Sequence, residues 1–441
     1  MGIIFFIFIN NSQTESELGL QTAPREELYF KKFGVKGYYF TKDESKNGFI
    51  SNKRVNFKPG VSEPIIISQK NNLFIFCNDF TKKGTVTGYY SSDNGNKFYE
   101  YNLSLVNEFD TYADPDATSD NEGNIYFTSV ERNSNKLSSI VLNISNINNT
   151  EQKKIFIESN ETGKIKFDKP KIFVTENKLY VTYIKKESGE KKLYICISDK
   201  SGENKKIKLI SDKNPDSPNI KYFNNKFYVS YSAENEIRLI ESDSEFSYIT
   251  DIRVTEFENP GREIDKQSVI KFSNNLGVRI NSDPVMLISE KYNKIYIAYC
   301  GKNGKDNADI FFTASEINNS NFSMPSKVTN DNSINDQFLP AITEDENGNI
   351  FIIYQDSRED EKNIMINSYL SYSLNGGQNF SDLKISTSSF NPYPIVVGGN
   401  YMGDYNSVII SNDKLFSVWT DGRKGNFDIY LGILNLENIL N

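Results

Sequence analysis

The chain has 441 residues and a formal net charge of -8, with no histidine but 26 Tyr and 31 Phe. Its acidic balance leaves no basic stripe to neutralise phosphates, which excludes nucleic acid and anionic membrane surfaces as natural partners. Lacking histidine, it has no Ser-His-Asp triad and no His-ligated metal, so any chemistry falls to carboxylates, Tyr, Lys or Arg.

The apolar start, Met1 to Ile9, is too short to span a bilayer, and residues 1–26 read as a signal remnant or disordered leader. No later run suits an integral membrane helix, so the expectation is an exported protein: secreted, periplasmic or on the cell surface. Residues 27–441 read as one domain, since composition does not shift and no linker interrupts them.

Within that domain one phrase recurs, a turn residue followed by alternating aliphatic and aromatic residues. It occurs at Asn72 to Phe76, Asn124 to Phe127, Lys178 to Tyr183, Lys226 to Tyr231, Lys294 to Tyr299, Asn349 to Tyr354 and Lys414 to Trp419. Such runs predict strands buried on both faces. Ahead of the first six stands a proline that opens another short strand: Pro64, Pro115, Pro170, Pro218, Pro284 and Pro340, spaced 48 to 66 residues apart. In the seventh copy Gly403-Asp404-Tyr405 replaces it. A third strand follows each phrase, as at Leu193 to Ile197 and Asp428 to Leu431. The period predicts an all-β fold, a β-propeller of about seven four-stranded blades. Six blades plus an irregular N-terminal region is the alternative.

The last repeat ends at Asn441 without room for a fourth strand, so a segment within 27–57 is expected to close the ring. The long interval 242–282 reads as an inserted hairpin or loop. Cys77, Cys196 and Cys300 fall inside strands of different repeats and read as small buried hydrophobes.

Between the third and fourth strands of the first repeat stands Ser91-Ser92-Asp93-Asn94-Gly95-Asn96-Lys97-Phe98, and the sixth holds Ser373-Leu374-Asn375-Gly376-Gly377-Gln378-Asn379-Phe380. Both fit the Asp-box pattern: the Asp or Asn folds back onto backbone N–H groups, Gly takes the special dihedral, and the aromatic packs between blades. Ser198 to Lys205 is an eroded copy, with Lys200 where the acid should be. On these boxes the chain resembles the sialidase-like superfamily from about Pro64 to Asn435. Its last repeat, through Gly403-Asp404-Tyr405, Trp419-Thr420-Asp421-Gly422-Arg423 and Asp428-Ile429-Tyr430, is similar to exported BNR-repeat proteins of exo-sialidase type. The resemblance implies a structural role for Ser91, Asp93, Gly95, Phe98, Ser373, Asn375, Gly377 and Phe380, on the face away from the ligand. Sialidases of this fold clamp a carboxylate with three arginines and use a Tyr/Glu pair and an Asp acid. The N-terminal [FY]-R-I-P motif that supplies the first arginine is missing, so no catalytic residue carries over.

In a propeller the ligand face is made by the loops that precede each first strand and those that follow each second strand. Glu63, Asp114, Asp116, Asp168, Asp216, Asp283, Asp336 and Asp404 precede or open first strands and would ring the central funnel. Crowded carboxylates recruit a cation, and Ca²⁺ is the expected one; an acid before proline also merely caps a turn. After second strands stand Glu131-Arg132, Asp356-Ser357-Arg358 and Asp421-Gly422-Arg423. Those three arginines could clamp a carboxylate, or each could be neutralised inside its own blade. Tyr112, Tyr401, Tyr405 and Trp419, next to the acids, are candidates to stack on a sugar; Tyr401 and Tyr405, flanking Asp404, are the better placed for exposure, while Trp419 ends a second strand and suits the core better. The leading expectation is a monomeric propeller that binds a glycan or a surface protein. A glycoside hydrolase working with two carboxylates, or a structural protein with no small ligand, stays open.

Overall fold

The structure, a computed structural model, describes residues 38–40, 50–56, 58–80, 85–101, 103, 111–133, 137–147, 149–258, 260, 262–264, 270–272, 280–302, 308–319, 321–392 and 402–440. Tyr401 and the leader expected at 1–26 lie outside the described residues.

Seven antiparallel blades follow one another around an axis. Blade 1 holds Val61–Gln69, Asn72–Asp79, Thr85–Ser91 and Lys97–Tyr101, and Tyr38–Phe40 adds a fifth strand to its outer edge. Blades 2 and 3 open with Thr111–Ser119 and Ile165–Val174, blades 4 and 5 with Pro215–Phe223 and Val285–Ser289, blades 6 and 7 with Gln337–Glu344 and Ser407–Ser411. Seven four-stranded blades, not six, make the ring. The fourth strand of blade 7 is Ile50–Arg54, paired with Asp428–Asn435 from Ile50↔Leu434 to Arg54↔Tyr430. The interval 242–282 contains the fourth strand of blade 4, Thr250–Glu256, and a small hairpin of Arg262–Ile264 with Ile270–Phe272.

The second strand of each blade carries the recurrent phrase and is sandwiched between blades. Phe74, Tyr180, Phe227, Tyr296, Phe351 and Trp419 are almost wholly buried, each large aromatic contributing about 2 to 3 kcal/mol through removal from water. Rings meet across blade boundaries, Phe76 with Phe127 at 4.8 Å and Tyr180 with Phe227 at 4.1 Å. The ring is sealed by one cluster in which Val61, Leu73 and Phe98 of blade 1 pack with Phe416, Ile429 and Leu431 of blade 7.

The two Asp boxes share one geometry. Ser91 Oγ accepts from Gly95 N at 2.9 Å and Asp93 Oδ1 from Lys97 N at 2.8 Å, while Ser373 and Asn375 take the same bonds from Gly377 N at 2.9 Å and Asn379 N at 3.1 Å. Gly95 (φ 80°) and Gly377 (φ 82°) lie in the left-handed region, and a Cβ at either would stand 2.6 Å from Leu431 or Phe312 of the preceding blade. Phe98 is fully buried, and Phe380 meets Phe312 edge-on at 5.1 Å. In the eroded box Asp199, one place before Lys200, does the work: its Oδ1 accepts from Ser201 N and Glu203 N.

The innermost strands are edge strands, so their prolines cost no ladder bond. In blades 1, 2, 3, 4 and 6 the register slips just there, and the residue before proline takes a left-handed φ: Glu63, Asp114, Lys169, Ser217 and Leu339. Each such conformation costs of order 1 kcal/mol or more, and this repeated bulge sets out the inner wall of the funnel.

Candidate functional site at the mouth of the central funnel

A cavity of about 330 Å³ opens where blades 3, 4 and 5 meet the axis, and its walls are almost entirely polar. The beginnings of first strands and the loops before them supply Asn214, Asp216, Asn281 and Asp283; the end of a second strand supplies Lys186, the start of a third strand Lys191 and a turn between such strands Glu234, with Phe257 as the aromatic wall. Its floor is Asp114, Asp168, Lys169 and Asp404. Of the acids singled out in the sequence, Asp114, Asp168, Asp216, Asp283 and Asp404 meet here, whereas Glu131, Arg132, Asp356, Arg358, Asp421 and Arg423 do not line this cavity.

Lys169 organises the floor. From its bulge in blade 3 its Nζ reaches across the axis, donating to Ser217 Oγ at 2.6 Å and Asp283 Oδ2 at 2.9 Å. Asp216 lies 3.5 Å from that ammonium and Asp404 3.9 Å. Burial alone would depress the Lys169 ammonium, but Asp216, Asp283 and Asp404 together hold it well above the usual lysine range. Asp216, which also binds Lys191, is held far below the carboxylate range; burial opposes this and the two lysines prevail. The carboxylates expected to gather a calcium ion are thus neutralised by lysine. No group of three or more acids among the described residues is disposed to hold a metal.

Asp114 and Asp168 face each other as a carboxyl pair. Burial, then the charges of Asp168 and Glu63, push Asp114 well above the carboxylate range, so it is the member of the pair that holds a proton more tightly. Burial also works to raise Asp168, yet the hydrogen bond from Asp114 and the ammonium of Lys186 hold it low and ionised. Behind them Glu63 is buried, accepting from Asn78 Nδ2 and, at 2.9 Å, from Asp404 N. One proton donor and one carboxylate acceptor therefore stand side by side in a polar cavity.

Several residues expected at this site are elsewhere. Asp336 does not line the funnel; fully buried, it accepts from Asn363 Nδ2 at 2.6 Å and pins the loop of its own blade. Asp116 lies deeper along the axis, beside Lys171 at 3.5 Å. Tyr405 points the same way: its hydroxyl donates to Pro115 O at 3.2 Å and Lys171 Nζ sits 4.6 Å from its ring centre, so it offers no face at the mouth.

Nor do the three arginines converge. Arg358 is held by Asp356 in two bonds, by Asp382 at 2.7 Å and by Asp331 at 3.2 Å, stacked 4.4 Å above Tyr369. Arg423 repeats the motif with Asp421, Thr387 Oγ1 at 2.9 Å and the ring of Tyr430 at 4.1 Å. Arg132 donates to Phe167 O at 2.6 Å. A guanidinium two places after a buried Asp reaches that Asp before any ligand, and each arginine serves as a pin within or between blades.

Lys169, Lys186, Lys191, Asn214, Glu234 and Phe257 were missed in the sequence. A signal for the first existed: Lys169-Pro170 occupies the place of Glu63-Pro64 and Asp114-Pro115, which puts one cation in a ring of acids.

No family model matches the sequence, and no curated protein sequence matches it. Solved structures do match in fold. A protein of unknown function from Dyadobacter fermentans aligns with a TM-score of 0.50 at 12% identity over 90% of this chain and 99% of the other. The phage phi92 endosialidase aligns with a TM-score of 0.51 at 9% identity over 89% of this chain and 70% of its own. The Trypanosoma rangeli sialidase, complexed with the inhibitor DANA, aligns with a TM-score of 0.48 at 12% identity; this chain spans 60% of its length. What the chain shares with them is the fold, a β-propeller. No helix among the described residues is long and apolar enough to cross a membrane.

Proposed function

We propose that this chain binds a glycan at the mouth of its funnel. The observation that carries the reading is the 330 Å³ cavity of blades 3 to 5, where lysine and amide donors alternate with carboxylate acceptors around a single aromatic, Phe257. Sugars present hydroxyls that donate and accept at once, together with an apolar ring face, and such a wall answers both. The strained bulges that set Asp114, Lys169 and Ser217 against the axis support it, since left-handed non-glycine residues persist where the surroundings over-determine them, often at functional sites. The phage endosialidase shares this fold, which is in keeping with a carbohydrate ligand.

A glycan array probed with the purified protein tests the reading. One class of oligosaccharide is expected to bind, and Glu234→Gln, at an exposed residue, to weaken it at least tenfold without altering the melting temperature. Absence of binding to any glycan by the folded protein refutes it.

A second reading, hydrolysis, is favoured by one arrangement: in the cavity wall, burial and acidic neighbours make Asp114 the tighter proton holder of a carboxyl pair with Asp168. Glycoside cleavage requires an acid and a second carboxylate about 5 to 9.5 Å away, so Asp168, hydrogen-bonded to Asp114, would position the acid and a carboxylate across the cavity would be its partner. Release of fluorophore from a panel of aryl glycosides, lost in Asp114→Asn, supports cleavage; no turnover on any sugar leaves binding alone. A sialoside is the less favoured member of the panel, because Arg132, Arg358 and Arg423 are engaged within the ring.

A further inference from the structure

Past Lys169 the axis widens into a second cavity of about 260 Å³, sharing only Asp114, Lys169 and Asp283 with the mouth. Its walls differ from those above. Ile65, Ile66, Val285, Met286, Ile342 and Val408 make most of the surface apolar. Lys169 and Asp283, paired with each other, and Asp114 belong to its boundary with the mouth; beyond them two ammonium groups, Lys171 and Lys221, and one carboxylate, Asp116, line this space.

The charges do not balance. Asp116 receives Ile172 N at 2.8 Å on one oxygen and Lys171 at 3.5 Å on the other. Lys171 is further held by the face of Tyr405 at 4.6 Å. Lys221, from the inner strand of blade 4, has no hydrogen bond or ion pair among the described residues. Burial holds its ammonium below the usual lysine range, and the pull of Asp116 is offset by the repulsion of Lys171. An ammonium drawn partly out of water beside an apolar wall gains from a counter-charge. Lys171 and Lys221 are half-buried, so solvent-borne molecules reach them.

We infer that this lower cavity is a binding site for a small monoanion with an apolar body, its head between Lys221 and Lys171 and its body against the isoleucines. The site is independent of the glycan reading, because the Lys169 bridge separates the two spaces. The anion brings the single negative charge the cavity lacks, and the hydrocarbon displaces water from apolar walls that gain nothing by hydration.

Octanoate is the probe and 1-octanol its uncharged control, each titrated calorimetrically into the full chain. Octanoate is expected to bind at one site, and octanol at least tenfold more weakly. Lys221→Gln should cost octanoate tenfold or more and leave octanol unchanged, whereas Lys164→Gln, at an exposed residue outside both cavities, changes neither. In case the variant fails to fold, a second measurement uses the unaltered protein: octanoate should slow acylation of the Lys221 amine by acetic anhydride, read by peptide mass spectrometry, without slowing that of Lys164. Equal affinity for octanoate and octanol, octanoate binding that persists in Lys221→Gln, or unprotected Lys221 each overturns the inference.

Discussion

Replacing Lys169 by Met removes the ammonium around which Asp216, Asp283 and Asp404 are arranged. The side chain is only 15% exposed and its partners 28%, 23% and 3%, so solvent cannot make up the loss. Deleting one member of a buried ion pair costs about 3 to 5 kcal/mol; with Asp216 still bound by Lys191, the lower end, about 3 kcal/mol, applies. At about 2.1 cal/mol/K per residue the unfolding entropy of a 441-residue chain is about 0.9 kcal/mol/K, so Tm should fall by about 3 °C. The pH dependence is the sharper assay. Lys169 is raised in the folded state, so its contribution is complete below the ordinary lysine pKa and is lost only as pH climbs through the raised value. Asp216 is depressed, so its contribution is present above the ordinary carboxylate pKa and disappears as pH falls toward the lowered value. The gap between wild type and Lys169→Met should therefore be full from about pH 5 to 9 and shrink below about pH 4, while Lys169→Arg should lie closer to wild type. Equal melting of wild type and Lys169→Met at pH 7, or a gap as large at about pH 2.5 as at pH 7, refutes the role given to Lys169.

A related variant, Lys169→Ser, frees the carboxylates and opens space among them, so 5 mM Ca²⁺ (about the level for a weak site) should raise its Tm and leave wild type unmoved in the same scan. Asp114 binds its proton more tightly folded than unfolded, a stability lost as pH rises through its raised pKa. Asp114→Asn should accordingly raise Tm at pH 7 and not at pH 4, measured by thermal denaturation. Gly377→Ala forces a left-handed alanine and a Cβ 2.6 Å from Phe312, for a loss of about 2 kcal/mol on chemical denaturation. Cys77, Cys196 and Cys300 are buried, and burial pushes the Cys196 thiol up to about 12. Ellman's reagent should therefore titrate no thiol in the native protein and three in guanidinium, and fast native reaction of any one contradicts that burial.

How far the sequence discloses this molecule depends on the range of the physics involved. Blades are legible because each strong strand, such as Lys226 to Tyr231, must be apolar on both faces, and that demand is met within six consecutive residues. Asp boxes are legible because their hydrogen bonds close within four residues. Even so, the eroded box hides its working Asp199 one position from where a fixed pattern seeks it. The funnel is legible only in part. Asp114, Asp216, Asp283 and Asp404 do line the mouth, but which acids are neutralised depends on Lys169 crossing to blades 4, 5 and 7, contacts up to 235 residues away in sequence. Asp336 went astray for a similar reason: a one-residue bulge at the start of the inner strand of blade 6 decides whether a side chain faces the mouth or its own blade. The arginines show that proximity in sequence is informative when the partner is strong, since Asp356 and Asp421 capture Arg358 and Arg423 two residues on.

The pairing of Ile50–Arg54 with Asp428–Asn435 has a temporal side. On a ribosome adding about 5 to 20 residues per second, the first of these strands emerges about 20 to 75 s before its partner is made. Throughout that time it is a bare strand beside a growing stack of completed blades, one of which has an unpaired edge of its own. The nascent chain must keep those edges from pairing with each other or with a neighbouring copy, and a mispaired intermediate would join chains end to end. Shortening the wait, by moving residues 50–54 behind residue 440 in a circular permutant, should speed maturation and reduce aggregation during synthesis while leaving the finished ring the same.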